Sequence, residues 1–185
     1  MKASRKAPPR ETAPTNVASL PIKLVGEEVL RSKARDVDVF DAALSRLFED
    51  MLDTMYAAPG IGLAGPQVGI SKRVIVLDVG DGPIRMANPK IVEKDGEQLG
   101  LEGCLSIPGL YGDVLRHNKI TVKGQDASGK TFRVAAEGLL SRCFQHEIDH
   151  LDGKLFTDMA VNLHEQKPKG EDDEDDEDDD ESEEE

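Results

Sequence analysis

Apolar positions along this chain follow two different periods. Phe40, Leu44, Leu47, Phe48, Met51, Leu52 and Met55 recur at helical spacing, which predicts an amphipathic helix capped by Asp41 and running through about Ala57. Residues 73–79 read Arg-Val-Ile-Val-Leu-Asp-Val, a short β-branched run that predicts a buried strand. Residues 84–87 and 91–94 predict two further short strands, interrupted by Asn88-Pro89. Residues 120–126 and 131–134 flank Ser128-Gly129-Lys130 and predict a hairpin. A second helix is expected over about 137–151, with Gly153 as its stop signal. No internal repeat is visible at a period of about 20–50 residues. Strands in the middle, with one helix before and one after, predict an α+β domain. Its small antiparallel or mixed sheets would pack around the C-terminal helix, which carries His-Glu-x-x-His.

The two ends depart from this pattern. Residues 1–20 carry Lys2, Arg5, Lys6 and Arg10 among prolines and small residues, so a loose basic arm is expected. Prolines 8, 9 and 14 break any amphipathic helix there, which weakens a transit-peptide reading. Residues 166–185 form an acidic tail that like charges keep extended and solvated. The chain's net charge of −14 belongs to that tail, because residues 171–185 hold 14 acidic groups and the remainder has 23 acidic against 23 basic. The compact unit is therefore expected over 21–165. It contains no apolar run near the ~18–20 residues of a membrane span, and no signal-peptide h-region is visible in the sequence. Cys104 and Cys143 do not form a disulfide framework, and reduced thiols suit the cytoplasm.

Residues 145–151, Gln-His-Glu-Ile-Asp-His-Leu, constrain the chemistry most tightly. On a helix, His146 and His150 share a face one turn apart, where two imidazoles can hold one metal ion. Glu147 beside them can reach a water on that ion. A catalytic site needs a third protein ligand and one open position. A downstream histidine in the pattern His-x-x-Gly-x-x-His is absent, since Phe156 stands there. Glu165 is the one acidic candidate before the tail, in surroundings that do not read as a long helix. Cys104, in Leu-Glu-Gly-Cys-Leu-Ser, remains as an upstream candidate, although a lone cysteine is more often a small core residue. Gly60-Ile61-Gly62-Leu63-Ala64-Gly65-Pro66-Gln67 lacks the lysine of a phosphate loop, and its Gln67 amide can donate to an oxyanion.

These three segments, in this order, resemble the signature motifs of the peptide deformylase family over about residues 21–160. The resemblance implies hydrolysis of the N-formyl group from the formyl-methionine that begins new polypeptides, releasing formate. It implies Cys104, His146 and His150 as ligands of one divalent ion, preferably Fe²⁺, with Zn²⁺, Ni²⁺ or Co²⁺ able to substitute. Glu147 would move the proton, while the Gln67 amide and the Leu105 backbone N–H would stabilise the oxyanion. Glu102 and Arg116 would form a supporting ion pair. Ile61, Gly62, Gly103, Tyr111, Leu139 and Cys143 would line the methionine pocket. Formyl-methionyl nascent peptides are the implied partners, with transient ribosome contact, no membrane and a monomeric, cytoplasmic enzyme.

The family usually has alanine where this chain has Gly65, a lost methyl that would loosen the loop without removing chemistry. Arg142 stands where an aliphatic residue is common, and the sequence offers no account of it. Two other readings compete. One is a metallopeptidase that uses a different third ligand; the other is a non-catalytic scaffold of the same shape.

Overall fold

A computed structural model of the chain describes residues 19–166. The expectations of a basic arm and an acidic tail fall almost entirely outside those residues. Helix α1 spans Ala42–Ala57, and the Asp41 carboxylate caps it by accepting the Leu44 N–H at 3.0 Å. Strands β1 (Gly62–Ala64), β2 (Val74–Leu77), β3 (Ile84–Asp95), β6 (Lys119–Gln125) and β7 (Thr131–Glu137) form one antiparallel sheet in the order β1-β2-β3-β6-β7. Strands β4 (Gln98–Cys104), β5 (Ile107–Arg116) and β8 (Val161–Glu165) form a second sheet in the order β4-β5-β8. Helix α2 spans Gly138–Leu151. The α+β class expected from the sequence is the architecture found.

The larger sheet is covered on both faces at β2. Val74 and Val76 of β2 pack with Leu44, Phe48, Met51 and Met55 of α1. Ile75 and Leu77 of the same strand pack with Phe144, Ile148 and Leu151 of α2. This is why β2 reads as an unbroken apolar run rather than an alternation. Burying each of these side chains is worth about 1.5–3 kcal/mol, so α2 is fixed by its packing and not by helix propensity. Gly153, at φ 71°, ends α2 as predicted, and its N–H donates to the His150 carbonyl.

Two expectations need correction. Residues 84–87 and 91–94 belong to one strand: Asn88, at φ 50°, makes a bulge that β3 passes through without ending. The Asn88 side chain secures that bulge by pairing with the Val37 backbone and Gln125. Strands β1, β4, β5 and β8 were not legible in the sequence. Cys104 ends β4. Gly65 does not loosen its loop, because a Cβ there would lie 2.6 Å from the Lys72 carbonyl oxygen and 2.8 Å from that of Ile70. The loop folds back on itself more closely than a methyl allows.

Candidate metal centre and active-site pocket

Helix α2 brings the two histidines into register, and β4 brings the cysteine to them. The Cys104 Sγ lies 3.3 Å from His150 Nε2, which lies 3.2 Å from His146 Nε2. The three donor atoms all fall within 4.8 Å of one another. Donors bound to one tetrahedral ion at about 2.0–2.3 Å sit roughly 3.3–3.6 Å apart, so the spacing fits. Electrostatics agree with the geometry. Burial holds His150 well below its ordinary value, so its ring is neutral. Burial would do the same to His146, but the Cys104 sulfur and the Glu102 carboxylate more than offset it and raise it. Phe156, where the third histidine of the protease pattern would stand, is buried and stacks on the His146 ring at 6.2 Å. Glu165 lies on the exposed strand β8.

Glu102, on β4 two residues before Cys104, organises the surroundings. Its Oε1 accepts from Arg116 Nε at 2.8 Å, and its Oε2 accepts from Arg116 Nη2 at 3.0 Å. The same Oε2 lies 2.9 Å from His146 Nδ1. With the proton on Nδ1, the Nε2 lone pair faces Cys104 and His150. Burial would raise Glu102, but hydrogen bonds from Arg116 and His146 outweigh it and hold the carboxyl at about 2. Arg116 also donates to Asp149, which stands within the His-Glu-x-x-His segment. This is no loose surface pair: both partners are buried.

Glu147 is buried one residue beyond His146, and its Oε2 has no hydrogen-bond partner. Burial pushes its pKa up to about 7. A carboxylate in that state is poised to take and return a proton near neutral pH. Gly62 on β1 makes this placement possible, since a Cβ there would collide with the Glu147 carboxylate and come within 2.8 Å of Cys143 Sγ. Gln67 is buried and its amide is held at both ends. Its Oε1 accepts the Ala64 N–H at 2.9 Å, which turns Nε2 toward Ser106 Oγ at 3.2 Å and Cys104 Sγ at 3.5 Å. Leu105 follows Cys104 in the turn between β4 and β5.

A cavity of about 440 Å³ opens over these groups. Ile61, Gly62, Gly103, Tyr111, Leu139 and Cys143 all line it, together with Gln67, Leu105, His146 and Glu147. Tyr111 packs where a Cβ on Gly103 would lie, and burial pushes the Cys143 thiol up, so it stays protonated. Arg116 and His150 are not among the residues lining the cavity. Sequence reasoning passed over Ser106 and Asp149, although both lie inside the quoted motifs. Arg142 also borders the cavity.

A cysteine and two histidines converging beside a buried glutamate, at the floor of a largely apolar pocket, define a metal-dependent hydrolase. The family model for polypeptide deformylase matches residues 19–166. A peptide deformylase of Symbiobacterium thermophilum is 52% identical over 149 residues, 79% of this chain and 69% of that protein. One of Halothermothrix orenii is 50% identical over 149 residues, 80% of this chain and 97% of that protein. The crystal structure of a peptide deformylase from Legionella pneumophila superposes with a TM-score of 0.76 at 48% identity, covering 78% of this chain and 88% of that one. The chain belongs to the peptide deformylase family. Its activity is removal of the N-formyl group from formylated nascent peptides by metal-dependent hydrolysis. Among the described residues, no helix is long and apolar enough to cross a membrane.

Proposed function

We propose that Cys104, His146 and His150 hold the catalytic ion, and that this ion is Fe²⁺, with Zn²⁺, Ni²⁺ or Co²⁺ able to replace it. The convergence of their donor atoms at 3.2–3.3 Å carries this reading. A divalent ion held there supplies Lewis acidity, which brings water into its reactive, deprotonated range near neutral pH. A soft sulfur ligand in place of a carboxylate oxygen suits Fe²⁺ as well as Zn²⁺.

The side chains then divide the work. Glu147 takes the proton from the attacking water and returns it to the amine nitrogen as the C–N bond breaks. Both halves matter, because an unprotonated amine is a poor leaving group. Attack at the formyl carbon leaves negative charge on its oxygen, and the Gln67 amide and the Leu105 N–H donate to that oxygen. Gln67 is suited to this because Ala64 already fixes its acceptor end. Glu102 and Arg116 keep the His146 ring in the tautomer and orientation that coordination needs. Ile61, Gly62, Gly103, Tyr111, Leu139 and Cys143 enclose the methionine side chain.

Residues 21–165 would act as the catalytic unit of a monomeric cytoplasmic enzyme that meets its substrate at the ribosome. The decisive experiment incubates anaerobically purified protein with a formyl-methionyl peptide and measures formate and metal on the same sample. Cys104→Ala should lose both ion and activity. Retention of the ion by that variant would favour a peptidase-like site with another third ligand.

A further inference from the structure

Arg142 takes no part in the steps above, yet it is buried and hydrogen-bonded through both Nη atoms. Its Nη1 donates to the Gly100 carbonyl at 3.2 Å, to the Val114 carbonyl at 2.9 Å and to Glu102 Oε1 at 2.8 Å. Its Nη2 reaches the Gln98 carbonyl at 3.2 Å and Gln98 Oε1 at 3.4 Å. Arg142 thus joins α2 to both β4 and β5. Gly100 makes room for it, since a Cβ at that position would come within 2.9 Å of Nη2.

The pattern on Glu102 gives this contact a direction. Arg142 and His146 stand one turn apart on the same face of α2 and reach opposite oxygens of one carboxylate. Arg116 bridges both oxygens from the side. Each Glu102 oxygen then receives two N–H groups, which uses the acceptor capacity of the carboxylate. With Arg142 removed, Oε1 keeps one partner, and the carboxylate is free to tilt about the Arg116 fork.

We propose that Arg142 is a positioning residue for the metal centre: by pinning Glu102 Oε1 it holds Oε2 against His146 Nδ1, and so keeps His146 Nε2 aimed at the ion. This rests on the reading of His146 as a ligand. Aliphatic replacement should therefore loosen the ion and not merely the fold.

The test uses protein loaded with Co²⁺, whose visible bands report thiolate and imidazole coordination, and a chelator to strip it. Arg142→Leu should release Co²⁺ about 10–100-fold faster than wild type, the range typical of lost support behind a ligand. Arg142→Lys, which keeps one donor but not the planar fork, should fall between the two; it also serves if the leucine variant does not fold. In a Glu102→Gln background, Arg142→Leu should add little further acceleration. Wild-type release rates in both Arg142 variants, or full additivity with Glu102→Gln, would overturn the proposal and leave a packing role only. Wild-type protein showing no cobalt–thiolate band would instead remove the ligand assignment on which it rests.

Discussion

Replacing Glu102 with glutamine removes one negative charge from a carboxylate that faces two guanidiniums and an imidazole. The carboxyl is held at about 2 against its ordinary 4.5. At about 1.36 kcal/mol per pKa unit, that difference is worth about 3 kcal/mol of stability when the group is ionised. The substitution also leaves Arg116 and Arg142 buried beside a neutral amide, and breaking a buried ion pair from one side costs about 3–5 kcal/mol. Urea unfolding of ion-free Glu102→Gln at pH 7 should therefore show a loss of that order relative to ion-free wild type. The pH dependence has a definite sign. The folded-state value lies below the unfolded one, so the contribution is complete above 4.5 and disappears as pH falls toward 2. The gap between the two proteins should close by about 3 kcal/mol over that window. A gap below about 1 kcal/mol at pH 7, or one indifferent to pH, would refute the picture of a charged, buried hub.

Glu147→Gln should keep the fold and bind the ion while losing about 10²–10⁴-fold in kcat, read by formate release. The same variant should stabilise the ion-free protein by about 3 kcal/mol at pH 8 and not at pH 4, because the raised Glu147 value, about 7, penalises the ionised form progressively from 4.5 upward. Equal urea midpoints at both pH values would contradict this. Gln67→Ala should lower kcat by about 10²–10³ with KM little changed, whereas an equal rise in KM alone would assign Gln67 to ground-state binding. Iron-loaded protein should lose activity faster in air than under argon, as expected of a thiolate–Fe²⁺ site, and equal half-lives with iron verified would count against that ion.

How much of this was legible beforehand depended on how local the cause was. The α1 stripe, the β6–β7 hairpin and the His146–His150 spacing each arise within a few residues, so periodicity and capping sufficed. Cys104 is different. It lies 46 residues from His150 along the chain, and no local rule links them; only the resemblance of three motifs to a family did so. Strand β4 escaped for a physical reason. In β4 the leucines face outward, with Leu99 64% and Leu101 51% exposed, while Glu102 is buried. An inverted pattern of this kind cannot be read as a strand with an apolar inner face.

The inversion also explains Arg142. Its charge is acceptable inside because Gln98, Gly100, Val114 and Glu102 meet it there, and those partners are assembled by the β4–β5 pairing and the docking of α2. The sequence by itself determined the helices, the hairpin and the family. Tertiary structure alone decided that Glu102 joins two arginines to His146, that Gly62 admits Glu147, and that Gly65 tightens its loop. Those facts depend on contacts between segments far apart in the chain, where burial and charge are set by whatever the fold places opposite.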